Sequence, residues 1–434
     1  MKTVAFHTLG CKLNFAETTS VGREFVRRGY RVVDLNEQAD VVYLNTCTVT
    51  DRADRECRQI VRRALRRSPQ AYVVVAGCYA QLQAETIAAI DGVDLVLGTR
   101  EKSEVFSYAG GFLKEGTPRI HVGTGAEMDE ATPAASGWLH ERTRAFLKVQ
   151  DGCDYNCSFC TIPKARGASR GVPLPVLRDQ AEQLVREGYR EIVLTGVNVG
   201  DYRHASAQNF LAALRAVSEV DGVERLRVSS IEPNLLTDEL LDFWLAQANI
   251  CNHFHIPLQS GSDRVLGMMR RRYRTRWYTD RLRTIQRRAP DAGMGADIIV
   301  GFPGESDSDF DETYALVSDL PLTYLHVFSY SERPNTDALK IGSPIDPSVR
   351  AARSEKLRML GLRKRRLHHE SLIGRDVEVL FESERTSGWQ SGLTRGYVRV
   401  DVPDTAVSSN DVGTVLVTEA NVDGVRGALK GATR

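Results

Sequence analysis

The sequence predicts an α/β protein in three folded parts. They are an N-terminal parallel α/β sheet domain (1–115), a central partial (β/α)6 barrel (144–370) and a small antiparallel β-barrel (371–434), with a linker over 116–143. Three observations carry this prediction. Short β-rich runs near the N-terminus alternate with amphipathic helical stripes, the pattern of parallel strands joined by crossover helices. Six strand–loop–helix units follow through the middle, too few for a full eight-fold barrel and suited to a partial one. From Leu372 the helical period stops, and short alternating strands with Gly and Ser turns take over.

The chain has 434 residues, 42% hydrophobic and 26% charged, with a net charge of +1. That is ordinary for a globular protein of several domains. No global field announces a nucleic-acid partner, so any such signal has to be local. The stretch Met1–His7 is too short and polar for a secretory signal, and no apolar run approaches the roughly 18 residues of a membrane span. We therefore expect no membrane association and a cytoplasmic location. Eight cysteines in such a chain are expected as metal ligands or core residues rather than disulfides.

In the first part, Val4–Thr8, Val41–Asn45 and Tyr72–Ala76 read as strands, each followed within a few residues by a cysteine: Cys11, Cys47 and Cys78. Open α/β sheets place their functional crevice at the carboxyl ends of the strands. The three thiols are therefore expected to converge on one edge as ligands of a metal cluster; buried core thiols are the other reading. Cys57 lies on the apolar stripe Ala53, Cys57, Ile60, Val61, Ala64, Leu65 and reads as core, as does Cys251. The opposite face carries Arg52, Arg55, Arg62, Arg63, Arg66 and Arg67, either a solvated face or a phosphate contact.

In the middle part the expected strands are Ala145–Gln150, Glu191–Thr195, Arg225–Ser229, His253–Pro257, Gly295–Val300 and Tyr324–Ser329. After the first comes Cys153-Asp154-Tyr155-Asn156-Cys157-Ser158-Phe159-Cys160, a CxxxCxxC spacing. Three thiolates can hold three corners of a four-iron, four-sulfur cluster and leave one iron open to a small ligand. Structural zinc needs a fourth protein ligand. Three thiols on one helix face remain an alternative, opposed by Gly152, Asn156 and Pro163. The later strands end in Gly196 and Asn198, Glu232, Gln259 and Ser260, and Gly301. The glycines let a backbone approach a ligand closely, while Asn198, Glu232, Gln259, Ser260 and Asp297 can hydrogen-bond one. Ordinary turn chemistry is the alternative for each.

The stretch Arg270, Arg271, Arg272, Tyr273, Arg274 continues through Arg276 to Trp277 and Tyr278. It reads as an RNA contact, with Arg for phosphates and aromatic faces for unpaired bases, or as a solvated basic helix. After the basic helix Arg350–His369, strands are expected at Asp376–Phe381, Tyr397–Val402 and Gly413–Thr418. Trp389, Arg395, Tyr397 and Arg399 are candidate RNA contacts there, barrel packing being the other reading of the two aromatics.

The stretch Cys153–Cys160, with Phe159 before its last cysteine, resembles the signature of the radical S-adenosylmethionine (SAM) superfamily. Thr8-Leu9-Gly10-Cys11-Lys12-Leu13-Asn14, Leu44-Asn45-Thr46-Cys47-Thr48-Val49-Thr50 and Gly77-Cys78-Tyr79-Ala80-Gln81 resemble the three cysteine motifs of the methylthiotransferases. That resemblance implies two [4Fe-4S] clusters, on Cys153, Cys157 and Cys160 and on Cys11, Cys47 and Cys78. The first would chelate SAM and cleave it with one electron to a 5′-deoxyadenosyl radical. Gly196, Asn198, Glu232, Gln259, Ser260, Asp297 and Gly301 would contact SAM. It further implies a radical SAM barrel, a TRAM-like RNA-binding β-barrel, tRNA (its anticodon stem-loop) as partner and a low-potential electron donor such as flavodoxin or ferredoxin. No acid/base residue is needed, because the cofactors carry the chemistry. Cys11-Lys12-Leu13-Asn14 resembles the subgroup acting on N6-threonylcarbamoyladenosine at tRNA position 37, although Phe15 stands where Gln is often found. Sister subgroups act on isopentenyladenosine in tRNA or on a ribosomal-protein aspartate. A non-catalytic, metal-stapled RNA-binding protein is the alternative of another class.

Overall fold

The computed structural model describes residues 1–47, 51–123, 131–136, 143–204, 208–404, 407–431 and 433. Its N-terminal sheet is parallel, in the order Arg31–Val33, Thr3–Thr8, Val41–Thr46, Tyr72–Gly77, Leu95–Leu97, Arg119–His121. Val41–Thr46 and Tyr72–Gly77 are buried at every position because both faces are covered. On one face Val42, Leu44, Val73 and Val75 pack with Ile60, Val61 and Ala64 of the helix Asp51–Arg67. On the other, Val41, Tyr43 and Val74 pack with Val21 and Phe25 of the helix Lys12–Arg27.

The central part is a partial barrel. Ala134–Ser136 pairs antiparallel with Arg144–Lys148, which continues in parallel to Glu191–Thr195 and Arg225–Val228. A bridge from Leu226 to Ile250 leads to the parallel strands His253–His255, Gly293–Val300 and Tyr324–Ser329. Outward residues such as Leu147, Leu194, Leu226, Phe254 and Ala296 pack against the helices in one large core. Strand alternation therefore turns Arg144, Lys148, Glu191, Arg227, His253, His255, Asp297 and His326 inward. The inside of the barrel is a largely polar chamber, with Phe146 and Val193 forming an apolar patch against Ala16.

The expected linker is more than a connector. Arg119–His121 completes the N-terminal sheet, and Ala134–Ser136 extends the barrel while contacting the helix Lys12–Arg27. The C-terminal barrel is closed, in the order Asp376–Thr386, Trp389–Thr394, Arg399–Pro403, Val425–Lys430, Val412–Ala420. The strand expected from Tyr397 begins only at Arg399, because Tyr397 has φ +69° and its N–H closes a turn onto the Thr394 carbonyl at 3.1 Å. That turn docks on the central barrel. Arg225 donates to the Leu393 carbonyl at 3.0 Å, and Arg227 to those of Thr394 and Arg395 at 3.1 and 2.9 Å. Among the described residues, no helix is long and apolar enough to cross a membrane.

Candidate active site

The cysteine loop leaves the barrel at Gly152, where only glycine fits: φ is +69° and a Cβ would lie 1.9 Å from the Ala168 carbonyl oxygen. A tight turn follows, with the Cys160 N–H donating to the Cys157 carbonyl at 3.1 Å. Each sulfur accepts a hydrogen bond, Cys153 from the Tyr155 N–H at 3.4 Å, Cys160 from the Ile162 N–H at 3.4 Å and Cys157 from the Arg271 guanidinium at 3.1 Å. Burial pushes the Cys153 thiol up to about 11 and the Cys160 thiol up to about 12. It raises Cys157 too, against the pull of Arg271. Such thiols become thiolates when a metal replaces the proton. Three sulfur donors, each with a positive dipole or charge beside it, fit a three-thiolate iron–sulfur site.

The other triad follows from strand register. Thr8 pairs with Asn45 and Asn45 with Ala76, so Cys11, Cys47 and Cys78 leave three adjacent strands at the same edge. Cys11 is exposed and the other two are buried. Gly10, at φ +95°, lets the first loop close over the second, since a Cβ there would meet the Cys47 Cβ at 2.6 Å. The motif residues Thr48, Val49 and Thr50 lie outside the described residues. Cys57 and Cys251 are fully buried.

Arg166 ties the segment after the CxxxCxxC loop to Cys78 of the other triad. It ends the short helix Ile162–Arg166 that follows the CxxxCxxC loop, and its Nε–H donates to the Cys78 sulfur at 3.2 Å. Its other nitrogens reach Asn14 at 2.7 Å, Asp151 at 2.9 Å and Glu17 at 3.1 Å. Lys148 holds both Glu17 and Asp151 at 2.7 Å, and Lys102 also binds Glu17. Burial alone would raise Glu17, yet Arg166, Lys102 and Lys148 hold it well below the usual carboxylate range.

The strand-end residues divide into two groups. Asn198 is buried with both side-chain amide atoms unpartnered, and Gln259, at φ +64°, has an unpartnered buried Oε1. Gln259, Asp297 and Cys160 line one cavity of about 640 Å³, the size of a small-molecule site. These orphaned polar groups fit a bound polar cofactor. Glu232 instead pairs with Arg271 beside Cys157. Asp297 accepts from His255 at 3.0 Å and His326 at 3.1 Å. Ser260 is turned inward to Thr313 at 3.3 Å. The Gly301 N–H donates to Glu305, and a Cβ there would strike Arg350 at 2.3 Å. Gly196 packs on Gln150, whose Oε1 would lie 2.8 Å from a Cβ. Ser260, Gly196 and Gly301 thus shape the loops.

Two of the proposed RNA contacts are corrected by their geometry. Arg271 is buried against Cys157 and Glu232, and Tyr273 is buried with its hydroxyl donating toward the Pro257 and Leu258 carbonyls. Arg270, Arg272 and Arg274 stay at the rim: Arg270 pairs with Asp337 at 2.7 Å, Arg272 covers the Tyr155 ring at 4.1 Å, and Arg274 caps the Asp263 carbonyl. Arg395 clamps two domains, bonding Glu378 at 3.1 Å and the Ala248 carbonyl, while Arg399 holds Glu384 at 3.1 Å. The composition gave no direction for these side chains. Arg62 and Arg66, from the basic face that the sequence leaves undecided, line a groove together with Arg58, which the sequence reading does not name.

Residues 147–317 match the radical SAM superfamily, and residues 3–98 match the uncharacterized protein family UPF0004. The threonylcarbamoyladenosine tRNA methylthiotransferase MtaB of Bacillus subtilis (strain 168) is 38% identical, over 92% of this chain and 90% of its own length. The chain belongs to the radical SAM methylthiotransferase family. MtaB of Aquifex aeolicus (strain VF5) is 36% identical over 92% of this chain and 96% of its own. A sister member, tRNA-2-methylthio-N(6)-dimethylallyladenosine synthase of Wolinella succinogenes, is 32% identical over 91% of each. The fold is shared with the radical SAM methyltransferase TsrM of Kitasatospora setae, at a TM-score of 0.56 and 16% identity, over 76% of this chain and 73% of that one. As a radical SAM methylthiotransferase family member, the protein is an enzyme that uses SAM and a [4Fe-4S] cluster.

Proposed function

We propose that the protein transfers a methylthio group to C2 of N6-threonylcarbamoyladenosine at position 37 of tRNA. The observation that carries the proposal is Arg166, which ends the helix after the CxxxCxxC loop and hydrogen-bonds Cys78 of the other triad, within a similarity to threonylcarbamoyladenosine tRNA methylthiotransferases that spans nearly the whole chain. Cys153, Cys157 and Cys160 hold the cluster that binds SAM, and Cys11, Cys47 and Cys78 hold a second [4Fe-4S] cluster. When bound, these groups supply the radical that breaks the aryl C–H bond and the sulfur that replaces it. The C–H is not acidic enough for a side-chain base, so the protein's own work is positioning. Asn198, through its unpartnered amide, and Gln259, through its unpartnered Oε1, orient SAM, and Arg271 steadies Cys157. The polar chamber receives the flipped nucleotide, and the anticodon stem-loop lies along Arg58, Arg62 and Arg66 and the rim arginines. A low-potential donor such as flavodoxin or ferredoxin supplies electrons, and the enzyme works in the cytoplasm.

The test is an anaerobic incubation of reconstituted enzyme, SAM and reductant with tRNA carrying either threonylcarbamoyladenosine or isopentenyladenosine, followed by nucleoside mass spectrometry. A 2-methylthio product on the first tRNA alone is expected. Product on the isopentenylated tRNA alone overturns the substrate assignment.

A further inference from the structure

Lys12 follows Cys11 and opens the helix Lys12–Arg27. Its ammonium sits 5.8 Å from the centre of the Tyr397 ring, in a recess of the chamber closed by Arg227 and Arg144, at 5.2 and 5.7 Å from the same ring. Both arginines have carboxylates: Arg227 takes Glu191 at 2.7 Å and Arg144 takes Glu382 at 3.0 Å. Lys12 has no ion pair and no hydrogen bond among the described residues. Glu191, the acid at the recess, is already shared by Arg225 and Arg227.

The Tyr397 ring and the already shared Glu191 favour a cation there, but burial and the neighbouring charges oppose it. The first turn of a helix carries partial positive charge, and this one contains no acidic residue. Two arginines add like-charge repulsion. A half-buried ammonium in that setting is completed by an anion from outside. Nucleotide phosphates lie on the backbone, away from a base that enters a chamber. The one anion borne by the base itself in the reading above is the carboxylate of the threonylcarbamoyl group. It hangs from N6 of the same purine whose C2 must approach the Cys11 edge, within one side-chain length of Lys12.

We propose that Lys12 selects the substrate by binding that carboxylate. An isopentenyl group has no charge to offer and would leave the ammonium desolvated and unpaired. The proposal rests on the threonylcarbamoyladenosine reading and names the residue that enforces it.

The experiment uses reconstituted enzyme and anticodon stem-loop RNAs carrying threonylcarbamoyladenosine or its methyl ester, which removes the charge and keeps the shape. Binding affinity, kcat/KM, iron per chain and the cluster electron paramagnetic resonance spectrum are measured for wild type, Lys12→Gln and Lys12→Arg. Wild type is expected to prefer the acid over the ester by roughly 10- to 100-fold, the scale of one charged hydrogen bond. In Lys12→Gln that ratio falls toward one, with iron content and spectrum retained, and Lys12→Arg restores much of it. A Lys12→Gln enzyme with the wild-type ratio overturns the proposal, as does one that loses about half its iron, which would make Lys12 a support of the cluster. Wild type that leaves threonylcarbamoyladenosine untouched while modifying another adenosine overturns the substrate reading and Lys12's role with it.

Discussion

At the scale of single residues, Arg166 is the side chain the site depends on most. It is a buried cation with two carboxylates, an amide and a cysteine sulfur around it. Removing one member of such a network leaves uncompensated buried charge, at a cost of about 3–5 kcal/mol. Arg166→Met is therefore expected to lower the denaturation midpoint and to bind less iron at Cys11, Cys47 and Cys78. Arg166→Lys keeps the charge and loses the fork, so it falls between the two. A variant with wild-type midpoint and iron would make the bridge incidental. Gly152→Ala should cost the first cluster, because the new methyl meets the Ala168 carbonyl; iron counting in purified protein reads it directly. These side chains show what sequence carries and what it does not. The cysteines were legible because spacing and strand ends announce them. Arg166 was not, since an arginine in a short helix has no local pattern that says it points into a neighbouring domain.

At the scale of elements, the strands determine which side chains can meet. Glu191 opens a buried strand and holds Arg225 at 2.8 Å and Arg227 at 2.7 Å, both of which grip the turn after Trp389–Thr394. Glu191→Gln should loosen the C-terminal barrel, seen as faster proteolytic cleavage between the helix Pro347–Glu370 and Asp376–Thr386; unchanged cleavage would remove this role. His253 stacks on Tyr397 at 4.6 Å in the same interface. Burial first, and then Arg227, push it well below its ordinary value, so the folded protein keeps it neutral. The unfolded chain takes up a proton below about pH 6.5, so stability is lost as pH falls through that value, by up to about 1.4 kcal/mol per pH unit. Thermal unfolding at pH 7 and 5.5 should show this loss in wild type and a smaller one in His253→Gln. The six barrel strands were readable from β-branched runs. The three-residue strands Arg31–Val33, Leu95–Leu97 and Arg119–His121 were too short for any period to register. The arginine run after Met269 misled because Arg270, at φ +59°, reverses the chain and sends Arg271 inward.

For the whole molecule, function lies between the parts. The N-terminal sheet brings its cysteine edge to the barrel, the C-terminal turn closes the barrel floor, and the chamber between them is largely polar, apart from Phe146 and Val193, which pack with Ala16. The measurement that tests this division of labour most directly compares wild type with Cys11→Ala/Cys47→Ala/Cys78→Ala, both reconstituted anaerobically, counting iron, 5′-deoxyadenosine and methylthio product on threonylcarbamoylated tRNA. Wild type should hold roughly eight irons, from two four-iron clusters, and the triple variant roughly four. The variant should still cleave SAM and form no methylthio product. A variant that keeps all its iron, or still methylthiolates tRNA, would contradict the assignment of the second cluster to the sheet edge.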